Sequence, residues 1–171
     1  MNKVFLFMVV LSLSGNIIMA QDVNKKMFDE KSQKNILVGI CTREGLLSCP
    51  FAEDYYLEYP AYKPDEAVLN EFKGLFSEIS CVLVLGTWCG DSKEQVPRFF
   101  KILDLSETQF ESFEIFCVDR NKEAEGMDVK TKCNIEKVPT FIFYKGEKEI
   151  GRIIETPVNS LEKDMLEILS N

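Results

Sequence analysis

Cys81-Val82-Leu83-Val84-Leu85 is a continuous apolar run of the kind found in strands buried on both faces. Gly86 and Thr87 end it, and after Trp88-Cys89-Gly90-Asp91-Ser92 the pattern becomes helical, with Val96, Phe99, Phe100, Leu103 and Leu105 on one side and a kink expected at Pro97. Phe113 to Asp119 reads as a second strand. The interval between the two is long enough for a helical crossover, which predicts a parallel β-α-β unit. Upstream, Asp65 can cap a helix whose apolar positions Val68, Leu69, Phe72, Leu75 and Phe76 recur at helical spacing. Downstream, a weaker helix around Met127 to Cys133 leads to Val138-Pro139. Strands at 140–144 and 149–155 follow, joined through the turn signal Lys145-Gly146-Glu147-Lys148. A final helix opens at Asn159 or Ser160, with Leu161, Met165, Leu166 and Leu169 facing inwards.

The first third is less regular. Residues 21–34 are polar and lysine-rich, with little periodicity beyond Met27 and Phe28, and read as a mobile or marginally helical lead-in. Ile36 to Cys41 reads as a short strand. Cys49-Pro50 opens a stretch dense in tyrosine and proline that runs to Pro64, and its aromatics Phe51, Tyr55, Tyr56, Tyr59 and Tyr62 are expected to cover a face of the main domain. Before all of this, one charge at Lys3, an apolar run from Val4 to Leu13 and the small residue Ala20 have the form of a cleaved secretory signal. That run is roughly half of the ~20 residues a membrane span needs, so no stable membrane anchor is expected. The chain thus divides into a signal segment at 1–20, an extension at 21–64 that packs on the core, and one α/β domain at 65–171. The expected location is exported, periplasmic or extracellular.

Composition then narrows the chemistry. The 171 residues carry 20 basic and 28 acidic side chains, a formal charge of −8. Such a surface repels phosphates and anionic headgroups, and no basic cluster offsets it, so nucleic acid is not an expected partner. Histidine is absent, which removes every Ser-His, Cys-His and His-metal mechanism. Six cysteines remain. None forms a C-x-x-C pair, so neither a metal nor another cofactor is expected.

The order α-β-α-β-α-β-β-α, with Trp88-Cys89-Gly90-Asp91-Ser92 directly after the first core strand, Lys93 and Pro97 beyond it, and Val138-Pro139-Thr140 before the hairpin, resembles the thioredoxin superfamily. The likeness spans roughly residues 65–170. More narrowly, the chain resembles secreted, single-domain thioredoxin-like proteins of bacteria that carry a monothiol site. The resemblance implies a thioredoxin-like fold, a central mixed β-sheet flanked by helices, and a cis bond at Pro139 that leaves the Val138 backbone beside Cys89 for an extended partner chain. It also implies partners that are protein thiols and disulfides or small thiols. Cys89 is then the nucleophile and Ser92 its polar neighbour. Trp88, Gly90, Asp91, Val138, Pro139 and Thr140 make the partner groove, with Trp88 as a flat apolar rim.

A cysteine on the first turn of a helix sits in the positive end of the helix dipole, which favours its thiolate. Two departures from the family pattern bear on that chemistry. Ser92 stands where a dithiol thioredoxin has its resolving cysteine, and Leu83 where the family often keeps a buried carboxylate. A carboxylate at Asp91 opposes the thiolate, and Lys93 is in position to offset it. Cys41 and Cys49 are candidates for resolving Cys89 or for pairing with each other, Cys133 for a packing residue, and Cys81 and Cys117 for inert core thiols. Cys-Gly-x-Ser also resembles the iron–sulfur-binding monothiol glutaredoxins, a reading that Trp88 and the export signal disfavour. The competing functional class is a non-catalytic module that holds a peptide in the same groove.

Overall fold

The computed structural model describes residues 22–170, so the signal segment expected at 1–20 lies outside the described residues. Six strands form one mixed sheet in the order β1-β2-β4-β3-β5-β6, with β1 Lys25–Asp29, β2 Lys34–Cys41, β3 Ile79–Leu85, β4 Ser112–Cys117, β5 Thr140–Lys145 and β6 Lys148–Ile154. The helices are α1 Arg43–Leu46, α2 Phe51–Ala61, α3 Glu66–Glu71, α4 Gly90–Ser106, α5 Val129–Lys132 and α6 Leu161–Leu169. β3 and β4 are parallel and joined through α4, whereas β5 runs antiparallel to β3 and forms a hairpin with β6.

Period-2 alternation in the central strands builds two cores. Cys81, Leu83 and Leu85 of β3, Ile115 and Cys117 of β4, and Phe141 and Phe143 of β5 face a large cluster that α2, α3, α4 and α6 complete. Val84, Ile142 and Val138 face a smaller aliphatic cluster with Val118, Ala124, Val129 and Ile135. Asp65 caps α3, accepting from the Ala67 N–H.

Several expectations change, most of them in the first third. Residues 25–29, inside the expected mobile or marginally helical lead-in, form an edge strand paired antiparallel with β2. Its lysines hide it from a pattern search but suit an edge, where charge discourages further pairing. The tyrosine-rich stretch is a helix, α2, which tolerates Pro60 because it falls in the last turn. It packs on α4 and buries Phe51 and Tyr55, while Tyr56 points to solvent. α3 stops at Glu71, and Gly74, at φ +80, turns the chain so that Phe76 still reaches the core. α4 runs on through Pro97, and Leu105, expected inside, is 52% exposed.

Candidate functional site

The first strand of the β-α-β unit ends at Leu85 and α4 begins at Gly90, so residues 86–89 make the crossing. Cys89 is the N-cap residue of α4, at φ −88 and ψ 131. Its N–H donates to the Gly86 carbonyl at 2.9 Å and its carbonyl accepts from the Lys93 N–H at 3.1 Å. No side chain caps the helix here, so the thiol stands at the dipole's positive end beside backbone N–H groups. The Cys89 thiol donates to the Val138 carbonyl at 3.2 Å and lies 3.9 Å from Asp91 Oδ2. The Val138–Pro139 peptide bond is cis. Gly90, which follows Cys89, is exposed, and a Cβ built there would meet open space.

Other predicted site residues hold the scaffold rather than face outward. Ser92 is fully buried, and its Oγ accepts from the Gly86 N–H at 3.3 Å, tying the strand end to the helix. Thr140 is buried too, its hydroxyl donating to the Lys137 carbonyl at 2.7 Å, and the side chains of Val138 and Pro139 beside it are likewise buried, so of the expected groove residues here only backbone stands next to Cys89. Lys93 pairs with Asp54 of α2 at 2.7 Å rather than offsetting Asp91. Trp88 is held on several sides. Its Nε1–H donates to the Val118 carbonyl at 2.9 Å, the ring packs so closely on Gly86 that a Cβ there would lie 2.7 Å away, and the Arg120 guanidinium sits 4.8 Å from its centroid. The expected flat rim is therefore partly covered.

Cys41 and Cys49 share no disulfide, and all six cysteines are free thiols. The Cys41 thiol is turned into the sheet, where the neighbouring Cys117 thiol hydrogen-bonds to it and pulls its pKa down. Cys49 sits against the Leu46 carbonyl at 3.4 Å. Burial pushes the thiols of Cys49, Cys81, Cys117 and Cys133 up, as a low-dielectric surrounding disfavours the thiolate. Among the described residues no group of three or more His, Cys, Asp or Glu could hold a metal.

Three contributors escaped the pattern reading. Thr87 is buried and accepts from the Leu37 N–H at 3.1 Å, joining β2 to the site loop. Arg120, from the loop after β4, forks onto Asp29 of β1 with bonds of 2.8 and 2.7 Å. A signal for Arg120 was present. Asp119-Arg120-Asn121 follows the C-terminal end of a strand parallel to β3, the end at which open α/β sheets build their sites.

A parallel β-α-β unit followed by an antiparallel hairpin and a last helix, with a cysteine capping the crossover helix opposite a cis proline, defines the thioredoxin type of fold. The Thioredoxin family model matches residues 67–167, and the chain belongs to the thioredoxin family. It is 30% identical over 104 residues to "Thioredoxin-like protein R548" of Acanthamoeba polyphaga mimivirus, covering 58% of this chain and 72% of that protein. It is 25% identical over 103 residues to "Thioredoxin-3, mitochondrial" of Saccharomyces cerevisiae, covering 58% and 75%. Among solved structures, the Fasciola hepatica thioredoxin matches with a TM-score of 0.40 and 22% identity, covering 61% of this chain and 88% of that one. Membership of this family points to thiol–disulfide exchange in general.

Proposed function

We propose that the protein is an exported thiol–disulfide exchange protein that works through one cysteine, Cys89, on protein disulfides or small thiols. The observation that supports this most is the Cys89 thiol, uncapped at the start of the 17-residue α4, with its second-cysteine position filled by a buried Ser92. Export is supported by the apolar run and small residue within positions 1–20. An extended partner chain is taken up along the backbone of Val138 and Pro139, next to Cys89, Gly90 and Asp91.

In the first step the Cys89 thiolate attacks one sulfur of a partner disulfide. The partner's S–S bond breaks, its other sulfur leaves as a thiolate, and a proton from solvent neutralises it. Ser92 offers no sulfur, so the mixed disulfide is opened from outside. A small thiol that attacks it, then a second that releases the first, reduces the partner disulfide at the expense of two thiols. A thiol of the partner itself merely moves the bond. In both cases Cys89 is returned as a thiolate.

The test is reduction of a small aromatic disulfide, and reshuffling of a scrambled protein, with a small thiol as reductant. Cys89→Ser abolishes both rates above the thiol-only background; a variant as fast as the parent overturns the reading. Ser92→Cys raises disulfide reduction, because the mixed intermediate then has an internal exit. A parent without turnover whose Cys89→Ala variant still binds extended peptides is a binding module instead.

A further inference from the structure

We propose that Arg120 is a positioning residue for Cys89: clamped by Asp29, it is held over Trp88 as a fixed cation that steadies the indole and offsets Asp91 at the sulfur. The inference deepens the exchange reading above and rests on it only in taking Cys89 as the working thiol.

The clamp is specific in its parts. The Asp29 side chain is 7% exposed and accepts both arms of the Arg120 fork, and it also accepts the Ser32 N–H at 3.0 Å and the Ser32 hydroxyl. The Arg120 hydrogen bonds, with help from Ser32, hold its carboxyl well below the usual carboxylate range. Asp29 is buried and Arg120 half-buried, so desolvation offsets much of the pair's Coulombic gain, and its chief consequence is the geometry it enforces. That geometry is the placement of the guanidinium within the ~6 Å at which a cation is drawn to an aromatic face. Only a planar fork can bind a carboxylate with two bonds and lie over a ring; a lysine cannot. The residue beneath it, Trp88, immediately precedes Cys89.

The charges around the thiol leave Arg120 with this task. Asp91 is 3.9 Å from the sulfur. Lys93 is paired with Asp54, and Lys137 is paired with Glu155 while also feeling Asp91. The Arg120 pKa is raised chiefly by the Asp29 hydrogen bond and in smaller part by the nearby Cys89, which places the guanidinium within electrostatic reach of the sulfur. Asp29 belongs to β1, outside the segment matched by the family model, so this device joins the added hairpin to the family's site.

The test is the pH profile of Cys89 alkylation by iodoacetamide in the full chain, read by peptide mass, together with the emission of Trp88, the single tryptophan. The double variant D29N/R120Q removes both charges without leaving a buried carboxylate unpaired. At pH 7 its Cys89 reacts about threefold more slowly than the parent, and the two converge above the thiol's titration. D29N alone frees the cation without removing it, so Trp88 emission changes while the profile moves less than in D29N/R120Q. R120K, which keeps the charge without the fork, repeats the D29N result. A double-variant profile that superimposes on the parent overturns the proposal, as does an equal loss at every pH, the mark of a merely structural role. Unchanged Trp88 emission in D29N also overturns it. Alkylation needs no disulfide partner, so a protein that shows the Arg120 effect yet exchanges no disulfide defeats the exchange function and supports this inference.

Discussion

The two faces of the sheet are built from different materials and bear on different properties. One face is aromatic and thick: Phe99 is fully buried, with the Phe141 ring 4.7 Å away and those of Phe100, Phe110 and Phe113 within 6.2 Å, under α2, α3, α4 and α6. The other is aliphatic and thin, covered by the one-turn α5 and by loops. A cavity of about 220 Å³ opens there between Val82, Phe116, Met127 and Cys133. Trp88 and Cys89 pack against this thinner cluster, and Val138, which meets the thiol, is one of its members. A close-packed aromatic core anchors the sheet through dispersion and burial, whereas Cys89 sits on the less covered face.

That contrast can be broken in order of expected effect. Phe99→Ala on the thick face should cost about 3–5 kcal/mol, measured by denaturant unfolding, since its ring leaves a cavity that packed neighbours cannot close. In the folded fraction the alkylation rate of Cys89 should stay at the parent value; a parallel fall would show that the faces are not independent. Thr87→Val keeps the shape but leaves the buried Leu37 N–H without its acceptor, at about 1–3 kcal/mol in the same assay. On the thin face, Ile142→Val removes one carbon and should cost about 0.5–1.5 kcal/mol. A larger loss than that of Thr87→Val would mean the thin core is the tighter of the two.

The smallest effect concerns pH. Hydrogen bonds from Arg120 to Asp29 and from Arg43 to Asp104 hold both carboxyls below their ordinary values. The unfolded chain therefore binds more protons than the folded one in acid. Their stabilisation is full above the ordinary carboxylate values, about pH 4, and is lost as pH falls through the lower folded values. Asp29→Asn should flatten the dependence of the melting temperature on pH below about pH 4, leaving the slope near neutrality unchanged. A parent melting temperature that does not fall over that acid range contradicts the assignment.

Much of the domain was legible in the chain itself. From residue 65 onward the run at 81–85, the helical spacing after Ser92 and the hairpin signal at 145–148 gave each element to within a few residues, because burial on two faces, one face or none leaves different periods. The first third was not legible, and the reasons are physical. β1 has no apolar face, since its strand state comes from pairing with β2. α2 carries its proline in the last turn, where the usual helix-breaking argument is weakest.

The site divides along the same line. Cys89 and Val138-Pro139 are visible in sequence through the family resemblance, because a cysteine between a strand end and a helix start and a Val-Pro-Thr before a hairpin are local motifs. Ser92 reads as a neighbour of the chemistry, yet its hydroxyl is spent on the Gly86 N–H. The grip of Asp29 and Arg120 on Trp88 joins positions 91 residues apart in the chain. Sequence by itself determined the element order from residue 65, the family likeness and the single cysteine of the site motif, all of which depend on neighbours along the chain. Only the tertiary structure decided which side chains face the sulfur and which are consumed holding the scaffold. Hydrogen bonds, ion pairs and ring contacts are set by distance in space, which the fold alone establishes.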